Sequence, residues 1–219
     1  MNPIADLKGY CDSIGLKPRT LVEVGAAHPD TYRLSQYVNT DSWIVLVEAN
    51  PRLFYCLAHG YNGDNWVKEW PSLPHPPYDF QGLGRFPNVN LLHAAITERP
   101  GLVRLFERNA SSFVEGLQSP AKANDGYLED VKDSYTVPGI TIDQIDDGTI
   151  DVLLADCEGS EWFCLKGLKS RPKVIVLELS GRAYTNPYSN EILAWMTENG
   201  YDVGGHVEQD SWFVRRDVA

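Results

Sequence analysis

The chain has 219 residues, 43 % of them hydrophobic and 22 % charged, which excludes disordered and fibrous classes and suits one domain with a substantial core. Its 30 Asp and Glu against 19 Lys and Arg leave a net charge of −11, and a field of that sign repels nucleic acid and anionic membrane. The start, MNPIADLKGYCDSIG, has no basic region followed by an apolar stretch and does not read as a signal peptide, and the longest apolar runs are far too short to cross a bilayer.

Taken in order, Ile4, Leu7, Cys11 and Ile14 predict a helix over 3–14, started by Asn2 and Pro3 and stopped by Gly15. TLVEVG and WIVLVEANP are buried-strand patterns, and PDTYRLSQYV between them has the periodicity of a crossover helix. RLFYCLAHG reads as a second helix closed by Gly60. Residues 61–87, with five prolines among Trp66, Trp70, Tyr78 and Phe80, break the pattern as a lid or structured loop. NVNLLHAAIT resumes as a third strand, LVRLFER and YTVPGITI are further extended pieces, and polar 109–135 reads as loop. TIDVLLADCEG is a fourth core strand with helix EWFCLKGL behind it, and KVIVLELS is a fifth. PYSNEILAWMTENG is a last helix, and YDVGGHV with SWFVRRD a terminal antiparallel pair. The whole predicts a Rossmann-like, doubly wound α/β sheet of about seven strands in a single domain, mostly parallel, with helices on both faces and a C-terminal antiparallel hairpin.

In such sheets ligands bind outside the carboxyl ends of the strands, so the residues after each apolar run carry the information. After the first strand, Glu23 precedes Gly25, Ala26 and Ala27, whose small side chains let a ligand approach the backbone. After the second, Glu48 beside Ala49 is placed to accept both hydroxyls of a ribose, a pairing common to NAD and S-adenosylmethionine (SAM) sites. The first turn lacks the three-glycine pattern that cradles a pyrophosphate and has Pro29 instead, which favours SAM, a ligand without phosphate. After the fourth strand come Asp156, Glu158 and Glu161 within one short turn. Asp156, next to the apolar run, is expected to lie deepest. In methyl transfer to oxygen, Asp156 or Glu158 takes the proton of the acceptor hydroxyl, or Asp156 with Glu178 holds a divalent cation such as Mg²⁺. Glu161 instead suits the N-terminus of the following helix. His93 and Ala94, closing the third strand, fall near the adenine, although His93 also suits a structural hydrogen bond; His28 faces either the cofactor turn or the substrate. His59, His75 and His206 are too scattered for a metal set. Cys11, Cys56, Cys157 and Cys164 show no ligand spacing and read as free thiols of a reducing cytoplasm.

The succession VEVGA, VEANP, NVNLLHAAIT, then GITIDQI, IDVLLADCEGSEWFCLKGL and RPKVIVLELS resembles the FkbM-like family of SAM-dependent methyltransferases from about residue 20 onward. The block from Thr141 to Leu179 is its most specific part, joining a TIDQI element to the D-x-EG-x-E turn. The resemblance implies a class I methyltransferase fold and O-methylation of a hydroxyl on a sugar, polysaccharide or secondary metabolite. It implies Glu23, Gly25 and Glu48 in the SAM site and Asp156 and Glu158 at the catalytic end. Ala27-His28-Pro29 departs from the family, which often has Asn-x-Gly after Gly-Ala. The expected partner is a small-molecule or glycan acceptor, with no nucleic acid or membrane, and oligomeric state stays open. A NAD(P)-dependent sugar oxidoreductase and a non-catalytic binding module are the rival readings; the first needs a Tyr/Lys pair that the sequence does not display.

Overall fold

The computed structural model describes residues 3, 5–27, 33–61, 80–108, 110–126 and 131–218. The elements, in chain order, are α1 (Leu7–Ser13), β1 (Thr20–Val24), a 3₁₀ turn (Arg33–Tyr37), β2 (Trp43–Glu48), α2 (Pro51–His59), β3 (Gly60–Tyr61), β4 (Phe80–Gln81), β5 (Val89–His93), β6 (Ala95–Ile96), β7 (Gly101–Phe106) and β8 (Phe113–Val114). After them come α3 (Pro120–Asp125), β9 (Ser134–Ile140), β10 (Val152–Ala155), α4 (Glu161–Lys166), β11 (Val174–Glu178), α5 (Ser189–Glu198), β12 (Tyr201–Val207) and β13 (Asp210–Arg215).

The main sheet has seven strands in the order β12-β13-β11-β10-β1-β2-β5. The five strands from β11 to β5 pair in parallel, and β13 pairs antiparallel with both β11 and β12. The order reverses at β1, whose neighbours are β10 on one side and β2 on the other, so a crevice opens at the carboxyl ends of β1 and β10. Side chains alternate between faces as the pleat demands. Val22, Val24, Val45, Val47, Leu153, Ala155, Ile175 and Leu177 pack with α4 and α5 through Phe163, Leu165, Ile192 and Met196. Leu21, Ile44, Leu46, Val152, Leu154, Val174 and Val176 pack with α1, the 3₁₀ turn and α2 through Leu7, Cys11, Leu34 and Leu57. β1, β2, β10 and β11 are buried on both faces and read as continuous apolar runs, which is why they were visible in the sequence.

Several elements differ from expectation. The first helix begins later than residue 3, at Leu7, because the Asp6 side chain caps it by accepting from Gly9 N at 2.8 Å. The described part of the expected crossover helix, Arg33–Tyr37, is a 3₁₀ turn; Glu23 takes up its first N–H groups. NVNLLHAAIT is not one strand. It leaves the main sheet after His93, and Ala95–Ile96 begins a second, four-stranded sheet, β6-β9-β7-β8, that also takes up the two extended pieces. Within 109–135 the chain forms β8 and α3, the latter capped by Ser119, whose hydroxyl accepts from Lys122 N at 3.2 Å. Most of the proline-rich insertion, 62–79, lies outside the described residues, as do His28 and Pro29. Among the described residues no helix is long and apolar enough to cross a membrane.

Candidate active site

Gly25 is where the crevice is tightest. Its φ is +77°, and a Cβ there would stand 1.7 Å from the carbonyl oxygen of Asp156. Gly25 N donates to Val47 O and Asp156 N to Val24 O, so β10 and β2 both close on this residue. A side chain is excluded by the neighbouring strand, independently of any ligand.

Glu23 and Glu48 are buried, and backbone N–H groups hold both. Glu23 accepts from Arg33 N at 2.9 Å and Leu34 N at 3.2 Å, capping the 3₁₀ turn. Glu48 accepts from Ala27 N at 2.7 Å and Asn50 N at 2.6 Å, one bond per oxygen. A carboxylate has about four acceptor sites, so Glu48 keeps lone pairs for a ligand. Burial pushes both carboxyls up to about 7 in spite of these bonds. His93 Nε2 lies 3.1 Å from Ala49 O and its ring stacks on Phe54, the structural arrangement anticipated as the alternative to an adenine contact.

A cleft runs from the ends of β1 and β2 to the turn after β10, bounded by Gly25, Glu48, Ala49, Ala94, Asp156 and Glu158. Its far wall is the second sheet, through Ala95, Leu105, Ser112 and Val114. The roof is tied down by Asn50, whose amide reaches Ser112 Oγ at 3.0 Å and Glu107 Oε1 at 3.2 Å. The cleft holds only about 40 Å³, less than a ligand the size of SAM fills. Ala26 and Ala27 line no part of it; both are buried behind Gly25.

The turn after β10 carries the densest chemistry. Asp156 is not the deepest of its acids: its side chain is 39 % exposed, whereas Glu158, Glu161 and Glu178 are all buried. The close approach to Gly25 turns the chain outward at Asp156, and Arg33 meets it there at 3.2 Å while also pairing Asp210 at 2.9 Å. Glu161 starts α4, as expected, yet it is wholly buried and closes the turn by accepting from Cys157 N at 3.0 Å and Gly159 N at 3.2 Å. Its other oxygen accepts from Asn186 Nδ2 at 2.6 Å, and burial raises this carboxyl to about 7. Arg33 went unmarked in the sequence because a single polar residue in a helix-like stretch carries no periodic signal, and Asn186 read only as a start signal of the last helix.

Glu158 sits at φ +56°, followed by Gly159 at +102°, whose Cβ would stand 2.1 Å from Gln118 O. A left-handed non-glycine residue is strained, a condition that concentrates at functional sites. The strain turns the Glu158 carboxylate toward α3, where it accepts from Ala121 N at 3.1 Å. Burial, with Asp156 and Glu161 nearby, pushes it up to about 8. Glu158 also lines a second, wider cavity of about 610 Å³, bounded further by Ser111, Asn124, Glu178, Arg182 and Glu208. It is the residue common to the linings of the narrow cleft and the wide cavity. Cys157 Sγ lies 3.9 Å from Cys164 Sγ, and none of the four cysteines is in a disulfide. Among the described residues no group of three or more His, Cys, Asp or Glu side chains is placed to hold a metal ion, so Mg²⁺ at Asp156 and Glu178 finds no support.

The family profile of the methyltransferase FkbM domain matches residues 23–203. The chain belongs to the FkbM methyltransferase family. The match runs from the end of β1 to the first residues of β12 and so takes in both the cleft and the acidic turn. No curated protein matches the chain. Among solved structures it is similar to Aeropyrum pernix fibrillarin with natively bound SAM, at 10 % identity over 90 % of this chain and 67 % of that one, TM-score 0.44. It is also similar to a precorrin-6y C5,15-methyltransferase of Geobacter metallireducens, at 15 % identity over 90 % and 79 %, TM-score 0.40. A TehB-like SAM-dependent methyltransferase of Corynebacterium glutamicum gives 9 % identity over 94 % and 84 %, TM-score 0.39. The family assignment rests on the profile match and not on these likenesses.

Proposed function

We propose that this FkbM-family methyltransferase transfers the methyl group of SAM to a hydroxyl of a sugar, polysaccharide or secondary metabolite. In this reading SAM lies along the narrow cleft and the acceptor alcohol occupies the wide cavity. The observation that carries it is Glu158, a buried carboxyl common to both linings. The cleft residues fit SAM chemically: Glu48 retains acceptor capacity for a ribose, and Ala49, Ala94 and Ala95 leave room that larger side chains would fill.

SAM, when bound, supplies an electrophilic methyl group on a sulfonium. The protein's part is to hold the acceptor oxygen in line behind that methyl and to take its proton. Glu158, raised to about 8, is a base matched to neutral pH. As the oxygen–carbon bond forms and the sulfur–carbon bond breaks, the hydroxyl proton passes to a Glu158 oxygen. Asp156, which lines the cleft, is paired with Arg33. No metal is required by this scheme. The four free thiols suit a reducing compartment, and we place the enzyme in the cytoplasm.

The test is transfer of labelled methyl from SAM to a panel of glycans and small alcohols. With an acceptor in hand, Glu158→Gln lowers kcat by about 10²–10⁴-fold, leaves SAM affinity near native, and abolishes the rise of kcat as pH climbs toward about 8. Native activity that is flat from pH 6 to 9, or a Gln variant with native kcat, contradicts the assignment.

A further inference from the structure

The wide cavity carries information about its occupant. Among the described residues that line it, the charged ones are Glu158, Glu178, Glu208 and Arg182. Three carboxyls against one guanidinium leave a phosphate- or carboxylate-bearing acceptor with Arg182 alone as a cationic partner among the described lining residues. Arg182 is turned aside, its Nη2 reaching Asn124 O at 3.4 Å.

Glu178 separates the remaining classes. It ends β11, is 95 % buried at 5 % relative exposure, lines the cavity, and its Oε2 has no hydrogen-bond partner among the described residues. An unpaired buried carboxyl oxygen is costly, and the group is pushed well above the ordinary carboxylate range by burial and by Asp156, Glu161 and Glu158. A neutral polyol would give Oε2 a hydrogen bond and leave Glu178 holding its proton. A protonated amine supplies a donor and a positive charge that stabilises the ionised form of Glu178, so the bond becomes charge-assisted as the proton leaves.

We infer that the acceptor is an alcohol that also carries a protonated amine, the ammonium seated against Glu178 and the hydroxyl presented to Glu158. This rests on the wide cavity being the acceptor site of the proposed methyl transfer. It adds a substrate class, cationic amino alcohols and amino sugars, and gives Glu178 the role of specificity residue in place of cation ligand.

The test is calorimetry with S-adenosylhomocysteine added first, then glucosamine, glucose or N-acetylglucosamine at about pH 6.5, where the free amine is protonated. Glucosamine is expected to bind about tenfold tighter than either neutral sugar. Its binding should release up to about one proton per site, read from heats in buffers of different ionisation enthalpy, as Glu178 ionises beside the ammonium. Glu178→Gln, which keeps shape and removes the ionisable group, should erase both the preference and the proton release while S-adenosylhomocysteine still binds. Equal binding of the three sugars, no binding of any, or a preference that survives Glu178→Gln overturns the inference. Failure of S-adenosylhomocysteine itself to bind is a different result, and it removes the methyltransferase reading beneath.

Discussion

At the scale of single residues, the site depends on two backbone positions as much as on its acids. Gly25 has a left-handed φ of +77° and a strand carbonyl where its Cβ would be, so Gly25→Ala must displace Asp156 from β1. Such a replacement costs about 3 kcal/mol or more, visible as a lowered midpoint in urea unfolding; an unchanged midpoint would mean that β1 and β10 are not joined this tightly. The sequence marked Gly25 as a place for a ligand to approach, and the residue that approaches is Asp156. Glu158 was marked by its neighbours in the D-x-EG-x-E turn, but its strained φ and its bond to Ala121 belong to a tertiary contact that no local pattern encodes.

At the scale of elements, the second sheet is the feature that sequence pattern conveyed least. LVRLFER and YTVPGITI were legible as extended, yet whether they extend the main sheet or build another depends on the chain leaving that sheet after His93, where a continuous apolar run hides the break. The consequence is a roof over the cleft, joined to the start of α2 by Asn50. Asn50 caps α2 by accepting from Arg52 N at 2.9 Å, and its amide holds Ser112 and Glu107. Asn50→Ala therefore loses about 2 kcal/mol of stability, part from the cap and part from the tie. It should also increase hydrogen exchange at 105–114 beyond the rest of the chain. Exchange that rises only around α2 would show that Asn50 does not hold the roof.

At the scale of the whole molecule, the buried carboxyls set the pH response. Glu23, Glu48 and Glu161 are raised to about 7 and Glu158 to about 8, from an ordinary value of 4.5. Between those limits the folded chain holds more protons than the unfolded one, so stability falls as pH rises. The slope is opposite to that of acid unfolding. One such group gives about 1.4 kcal/mol per pH unit within its window, or about 3–6 °C in Tm for a chain of this size. Thermal melts should accordingly show a lower Tm at pH 8.5 than at pH 6, and a constant or rising Tm would count against buried, proton-holding acids.

The parallel core strands, their helices and the C-terminal hairpin were legible because each is a long run with one period. The family was legible because its motifs lie at strand ends that the fold keeps in order. Contacts between distant segments were not, and they include Arg33 bridging Asp156 and Asp210, Asn186 on Glu161, and the roof.

The central claim is that the cleft at the ends of β1 and β2 is a SAM site with Glu48 as its ribose acceptor. Calorimetric titration of SAM into the native chain and into Glu48→Ala tests it most directly. One SAM bound per native chain, with affinity at least about tenfold weaker in the variant, is the result predicted; no binding to the native chain, or equal affinity in both, would contradict it.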